Sequence, residues 1–142
     1  MGSILVNQSG NGGNVMGMEE ITITAGDITV QAQLNESETA RRILDILPLE
    51  GNANVWGDEI YFNIPLELQQ ASDAREEMTI GELAYWPQGN AFCIFFGPTP
   101  VSTGDAPKAY SPVNVFGSVT GDTTVFKAVA DGSLVRVSRS IS

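Results

Sequence analysis

Histidine is absent from this 142-residue chain, and cysteine occurs once, as Cys93. Without histidine the chain has neither a Ser-His-Asp nor a Cys-His catalytic arrangement, and it lacks the commonest general base near neutral pH. One cysteine among carboxylates does not make the nitrogen and sulfur site that zinc prefers. A single cysteine also forms no intramolecular disulfide, which favours a reducing compartment, so we expect a cytoplasmic protein.

Basic residues are scarce, because seven Lys and Arg oppose seventeen Asp and Glu and give a formal net charge of −10. This sign is wrong for a surface that neutralises phosphates, so we expect no nucleic-acid partner. No uninterrupted apolar run approaches the ~18 residues that suggest a spanning helix, so we expect no membrane partner. No acidic loop with regularly spaced oxygen ligands is present, and we expect neither a metal nor another cofactor.

The chain divides into two stretches of different composition. Residues 1–18 are rich in glycine and asparagine, a composition that buries too little apolar surface to offset the entropy lost on ordering. We therefore predict a disordered tail at 1–18 and a single domain at 19–142.

Alternation of apolar and polar residues dominates the first part of the predicted domain. It indicates a hairpin over 21–34, with Gly26 and Asp27 in the tight turn. Shorter strands are predicted at 53–56, 59–64, 78–86, 91–96, 113–119 and 133–138. Together with the hairpin these segments make about eight strands.

Two helices are predicted between the strands. Asn35 and Glu38 have the spacing of a capping box, and Pro48 ends the helix that they would begin. A second short helix is expected to begin at Asp122. Eight antiparallel strands and two short helices indicate a mainly β fold, a closed eight-stranded barrel with the helices capping its ends.

Two aromatic strings carry a recognisable signature, Trp-Gly-Asp-Glu-Ile-Tyr-Phe at 56–62 and Tyr-Trp-Pro-Gln-Gly-Asn-Ala at 85–91. Together with Val-Asn-Val-Phe-Gly at 113–117, they resemble a prokaryotic family of uncharacterised proteins with a cyclophilin-like barrel. The resemblance runs over about residues 21–137. It implies an eight-stranded barrel with a helix at each end, in agreement with the strand count, but no established activity, because one fold hosts many functions.

The strings contain or adjoin turns, where side chains are able to leave the core. The candidate ligand-binding residues are Trp56, Glu59, Tyr61, Tyr85, Trp86, Phe95, Thr99 and Asn114. Aromatic rings would supply contact area at low entropy cost, while Glu59 and Asn114 would orient the ligand. The leading hypothesis is a binding module for a small molecule or an extended peptide, without established catalysis. The competing interpretation is that glycines shape the barrel corners and the aromatics only pack around them.

Two further functions are considered. Cyclophilin-like barrels include peptidyl-prolyl isomerases, whose arginine lies in a pocket of phenylalanine, glutamine, tryptophan and histidine; this chain lacks the histidine and any Phe-x-x-Arg string. Weak catalytic candidates are Arg75, for such an isomerase, and Glu59, for a carboxylate-assisted catalyst. The alternative interpretation of Arg75 is a loop ion pair with a neighbouring acid, and that of Cys93 is a small core residue. The third hypothesis is a structural subunit of a larger amide-processing or carboxyl-transfer assembly.

Overall fold

The structure is a computed structural model that describes residues 19–140, and the predicted tail at 1–18 lies outside the described residues. The elements in chain order are β1 (Glu20–Ala25), β2 (Ile28–Leu34), α1 (Glu38–Asp45), β3 (Leu49–Asn52), β4 (Asn54–Trp56), β5 (Glu59–Asn63), β6 (Arg75–Glu77), β7 (Glu82–Trp86), β8 (Ala91–Phe95), β9 (Lys108–Val119), a 3-10 helix (Thr123–Ala128) and β10 (Leu134–Arg139). Every described strand pair is antiparallel. The predicted mainly β class is therefore confirmed. Within residues 19–140, no helix combines the length and the apolar character needed to cross a membrane.

The described strands form one ten-stranded sheet in the order β3-β10-β1-β2-β9-β7-β8-β5-β4, with β6 paired to β9. Its two ends, β3 and β4, follow each other in the chain and are separated by Ala53. The backbone N–H of Ala53 donates to Ser133 O, and its carbonyl accepts from Gly132 N, each at 2.8 Å. These bonds hold the junction against the loop before β10. Within the described residues, no hydrogen-bonded ladder joins the two ends of the sheet.

Side-chain packing occupies the seam between the two ends. A Cβ atom added to Gly51 of β3 would lie 2.7 Å from Cδ2 of Phe62 on β5, so the β3 backbone rests directly on that ring. The predicted closure of the barrel by hydrogen bonds is consequently not confirmed, because at this seam a backbone meets an aromatic side chain.

The prediction of eight strands is low by two, because β3 and β6 are short and polar. β6 contains only three residues, all charged, so it offers no alternation to detect. It pairs with the first half of β9. β9 accordingly begins at Lys108 rather than at Val113, within a segment whose glycines and prolines favour a loop.

Both predicted helices are present, but α1 begins later than predicted and the second is a 3-10 helix. The N-cap of α1 is Ser37, whose Oγ accepts from Ala40 N at 3.1 Å. Asn35, the predicted start, instead accepts from Ser37 N at 3.0 Å and so closes the turn before the helix. The second helix is a 3-10 helix, and Asp122 caps it by accepting from Thr124 N at 2.9 Å.

Apolar side chains are buried on both faces of the sheet. On β8, Phe92 and Ile94 belong to a large cluster, here called the main core, which includes residues of β1, β2, β10 and α1. Cys93 and Phe95 point the opposite way, as strand alternation requires. They belong to a smaller group, here called the second cluster: Met78, Ala84, Ala91, Cys93, Phe95, Ala109 and Val113.

Candidate functional site

A cavity of about 210 Å³, here called the aromatic pocket, opens beside the second cluster. Its lining consists of Trp56, Glu59, Tyr61, Trp86, Cys93, Phe95, Ala109, Tyr110 and Val113. Glu59 and Tyr61 reach it from β5 because the residues between and after them, Ile60 and Phe62, point into the main core. In the register with β8, Glu59 is opposite Phe95 and Tyr61 is opposite Cys93.

Four aromatic rings form one side of the pocket through successive edge-to-face contacts. The centroids of Trp56 and Tyr110 are 6.3 Å apart at an interplanar angle of 76°. Tyr110 meets Trp86 at 6.2 Å and 79°, and Trp86 meets Tyr61 at 6.1 Å and 78°. These separations lie in the range of ~4.5–7 Å that aromatic pairs prefer. The rings therefore support one another as a continuous wall, of which Tyr110, 67% exposed, is the rim.

The Trp86 ring is fixed by two contacts besides the neighbouring aromatics. Its Nε1 donates to Ser111 Oγ at 2.7 Å. Gly89 lies so close to the six-membered part of the indole that an added Cβ would collide with Cε3. Since the indole N–H is already used, Trp86 offers the pocket apolar ring surface rather than a hydrogen-bond donor.

Trp56 and Glu59 flank the turn between β4 and β5. Gly57 adopts a φ of +60° there, in the left-handed region that favours glycine. An added Cβ would also lie 2.9 Å from the Thr99 backbone. This tight turn brings a tryptophan and a carboxylate from adjacent strands to the same cavity.

Glu59 is only 5% exposed. No Lys or Arg among residues 19–140 forms an ion pair with its carboxylate. Burial raises the pKa of Glu59 to about 7, and the neighbouring Cys93 thiol opposes this shift only in part. Near neutral pH the pocket wall therefore carries a carboxyl group poised between its charged and neutral forms.

Cys93 is buried, as the sequence interpretation required. Burial, followed by the negative charge of Glu59 and the hydrogen bond to it, raises the pKa of the Cys93 thiol well above its usual range. The thiol is therefore protonated at neutral pH and is not a thiolate nucleophile; its Sγ donates to Ala91 O at 3.9 Å. Among residues 19–140, no group of three or more Cys, Asp and Glu side chains is arranged to hold a metal ion.

Five of the eight candidate residues line the aromatic pocket: Trp56, Glu59, Tyr61, Trp86 and Phe95. Tyr85 does not, because alternation along β7 places it in the main core. Its hydroxyl donates to Leu66 O at 2.6 Å and accepts from Leu68 N at 3.1 Å. Tyr85 thus holds the segment before β6 against the sheet.

Thr99 and Asn114 are also outside the pocket lining, and both hold loops in place. Asn114 accepts from Ala71 N at 2.8 Å and donates through Nδ2 to Gln69 O at 3.0 Å. Thr99 Oγ1 donates to Lys108 O at 2.5 Å. Asn114 Nδ2 also donates to Thr39 Oγ1 at 3.4 Å, so the amide is bonded within the fold, and its role in orienting a ligand stays a prediction.

Arg75, the candidate for an isomerase, does not line the aromatic pocket. Its guanidinium forms two hydrogen bonds with the Glu82 carboxylate, at 3.0 and 2.8 Å, and a third with Glu77 O at 2.6 Å. This is the ion pair that the alternative interpretation anticipated.

Four lining residues were not among the candidates: Cys93, Ala109, Tyr110 and Val113. Tyr110 contributes most to the wall among them, and it lies in the half of β9 that the sequence pattern indicated as a loop. An isolated tyrosine between Lys108 and Pro112 was the available signal. Nothing in the sequence, however, placed that segment beside Trp56 and Trp86.

Comparisons with known proteins agree with this architecture. A family model described as cyclophilin-like matches residues 19–138. A solution structure of a hypothetical protein from Archaeoglobus fulgidus is similar, with a TM-score of 0.74 and 35% sequence identity over 87% of this chain and 96% of that chain. No curated protein matches the chain. Neither description specifies a ligand or a reaction.

Proposed function

We propose that this chain, which belongs to the cyclophilin-like family, is a binding module that takes a small organic molecule into the aromatic pocket. The observation that carries the proposal is the Glu59 carboxyl group, buried in the pocket wall without an ion pair to any Lys or Arg of residues 19–140. A concave, mostly apolar site with a few convergent polar groups is the usual form of a small-molecule site.

Glu59 differs from the buried polar groups on the main-core face of the sheet in its hydrogen-bond partners. The Tyr85 hydroxyl and the Asn114 amide each have at least two partners on the backbone or on other side chains. Buried polar groups are generally paired in this way, because an unpaired one loses its hydration without compensation. A ligand that pairs with Glu59 would supply the compensation that the chain itself does not.

The dimensions of the pocket favour a small ligand. Its volume of about 210 Å³ lies below the ~300 Å³ at the lower end of ordinary ligand pockets. Tyr110 is largely exposed at the rim, so one group of a larger molecule could also enter while the remainder stays outside. A small molecule is preferred over an extended peptide because the concave wall offers one cavity and not a row of them.

The two tryptophans make this proposal directly testable. They are the only tryptophans of the chain, and both line the pocket, so intrinsic fluorescence reports on this site alone. A fragment screen monitored by tryptophan fluorescence and by the two indole N–H resonances should identify ligands. Their affinity should fall in Glu59→Gln and Trp86→Ala.

Glu50→Gln is the matched control, because Glu50 is a half-exposed carboxylate that pairs with Arg136 on the surface. It should leave fragment affinity unchanged. Binding that persists equally in Glu59→Gln and Trp86→Ala would place the ligand elsewhere and refute the proposal.

Glu59 also supports a second candidate function, proton transfer to or from a bound molecule. A general acid or base works best when its pKa lies near the working pH, and burial gives Glu59 a pKa of about 7. The reaction would be limited to proton movement, since the neighbouring thiol is protonated. A catalysed exchange of a ligand C–H proton with solvent deuterium, lost in Glu59→Gln, would establish it.

A further inference from the structure

We propose that the molecule bound in the aromatic pocket is a small organic cation, an alkylated amine held by the Glu59 carboxylate and the surrounding ring faces. This inference rests on the binding function proposed above and specifies the class of ligand. Three observations support it: the charges around the pocket, the arrangement of the rings, and the commitment of the neighbouring basic residues.

The ionisable groups that line the pocket are Glu59, Tyr61, Cys93 and Tyr110. Basic residues on the packed elements are directed to other acids. Lys108 on β9 faces Glu77 at 4.0 Å, and Lys127 in the 3-10 helix bonds Asp58 at 3.0 Å. Within the described residues Glu59 therefore has no cationic partner, and a cationic ligand would balance the charge of its ionised form.

Arg75 of β6 and Glu82 of β7 are likewise paired with each other. Glu82 holds the Arg75 guanidinium at 2.8 Å, so neither faces Glu59 as a free charge. The chain as a whole carries a formal charge of −10, which raises the local concentration of cations and repels anions. An anionic ligand would meet both this field and the buried carboxylate, and is disfavoured.

The rings supply the second component of cation recognition. Trp56, Tyr110, Trp86 and Tyr61 meet in sequence at angles of 76–79°, so the wall turns through successive near-right angles instead of forming a flat stack. Electron-rich ring faces attract alkylammonium groups, and the attraction is stronger where the site is desolvated. Because the Trp86 N–H is bound to Ser111, the indole offers the cation its π surface.

The competing ligand class is a neutral molecule with a carbonyl or other acceptor, which would bind the protonated form of Glu59. The two classes have opposite pH dependences. A cation favours the ionised carboxylate, so its affinity increases as pH rises through the Glu59 pKa of about 7. A neutral acceptor requires the proton on Glu59, so its affinity decreases over the same interval.

The test compares two probes of nearly equal shape and size, choline and its neutral carbon analogue 3,3-dimethyl-1-butanol. Binding of each to the full chain is measured by tryptophan fluorescence and by the indole N–H resonances at pH 6 and pH 8. Choline should bind at least about tenfold more tightly than the alcohol at pH 8, the factor given by the stronger cation–π energies. Its affinity should rise about tenfold from pH 6 to pH 8, following the ionised fraction of a group with a pKa near 7.

Glu59→Gln should remove the pH dependence of choline binding and reduce the preference for choline to the part that the ring faces supply, whereas Glu50→Gln should retain both in full. Equal or tighter binding of the neutral alcohol at the two tryptophans would overturn the cation assignment and leave the pocket as a binding site. Failure of choline to perturb either tryptophan would also overturn it. The separate fragment screen then decides the proposed binding function itself.

Discussion

Tyr85 and Trp86 are adjacent on β7, yet they belong to opposite faces of the sheet with different properties. Tyr85 is fully buried in the main core, and its hydroxyl has backbone and side-chain partners. Trp86 lies at the edge of the second cluster, where it lines the aromatic pocket beside the buried Glu59 carboxyl group. The main core therefore maintains the fold, whereas the opposite face retains a buried carboxyl group without an ion pair at a cavity. The contrast separates the face that carries the main core from the face on which we propose binding.

The largest expected effect is a loss of stability when the main core is truncated. Phe92 stacks on Phe62 at 5.1 Å and meets Phe116 edge to face at 5.0 Å. Phe92→Ala should destabilise the protein by about 3–5 kcal/mol, through lost transfer energy and the cavity left behind. Trp86→Ala, at the partly exposed pocket, should cost less than half as much, as measured by urea unfolding. Equal losses at the two positions would remove the distinction between the faces.

Glu59→Gln should have the next largest effect, with a sign that depends on pH. The folded-state pKa of about 7 exceeds the ordinary value of 4.5, so the folded protein binds the proton more tightly than the unfolded chain does. The wild type consequently loses stability as pH rises from about 4.5 to about 7, by roughly 3 kcal/mol in total. The glutamine variant should lack this decline and be the more stable protein at pH 8, while Glu50→Gln retains it. A parallel decline in Glu59→Gln would assign the pH dependence to other groups.

Asn114→Ala tests a polar residue on the main-core face, where a substitution should affect stability and not binding. The substitution leaves the Ala71 N–H and the Gln69 carbonyl without their partner, and it should cost about 1–3 kcal/mol. Fragment affinity at the tryptophans should remain that of the wild type, since Asn114 is not part of the pocket lining. An affinity loss without a loss of stability would restore the ligand-orienting role that the sequence suggested.

Sequence alternation was sufficient where strands are long and their two sides differ. It identified the β1–β2 hairpin and β5. The same two-residue period places Glu59 and Tyr61 on one face of β5. Along β7 alternation shows that Tyr85 and Trp86 diverge, but not which of them enters the core. That choice depends on the partners Leu66 and Ser111, which are distant in sequence.

Other parts of the site depend on contacts that a single sequence does not display. The segment from Lys108 to Pro112 has the composition of a loop and becomes a strand by pairing with β6, itself three charged residues. This pairing carries Tyr110 to the pocket. Thr99 and Asn114 lie outside the pocket lining, and their side chains bond to backbone groups instead, as polar side chains near turns often do.

The smallest effect is expected for Arg75→Ala, which tests whether the boundary of the pocket is placed correctly. Arg75 lies near the second cluster, through its contact with Met78, but it is not a lining residue. Its side chain is 43% exposed and that of its partner Glu82 is 17% exposed, so solvent screening limits the ion pair to at most about 1 kcal/mol. Glu82 keeps the Thr79 N–H as a donor after the substitution, which further limits the loss of stability.

Fragment affinity should be the same in Arg75→Ala as in the wild type. Neither protein should accelerate proline isomerisation in a protease-coupled assay, because no arginine lines the pocket. Isomerase activity that disappears in Arg75→Ala would contradict this placement and would assign proline isomerisation to a residue that we place outside the pocket.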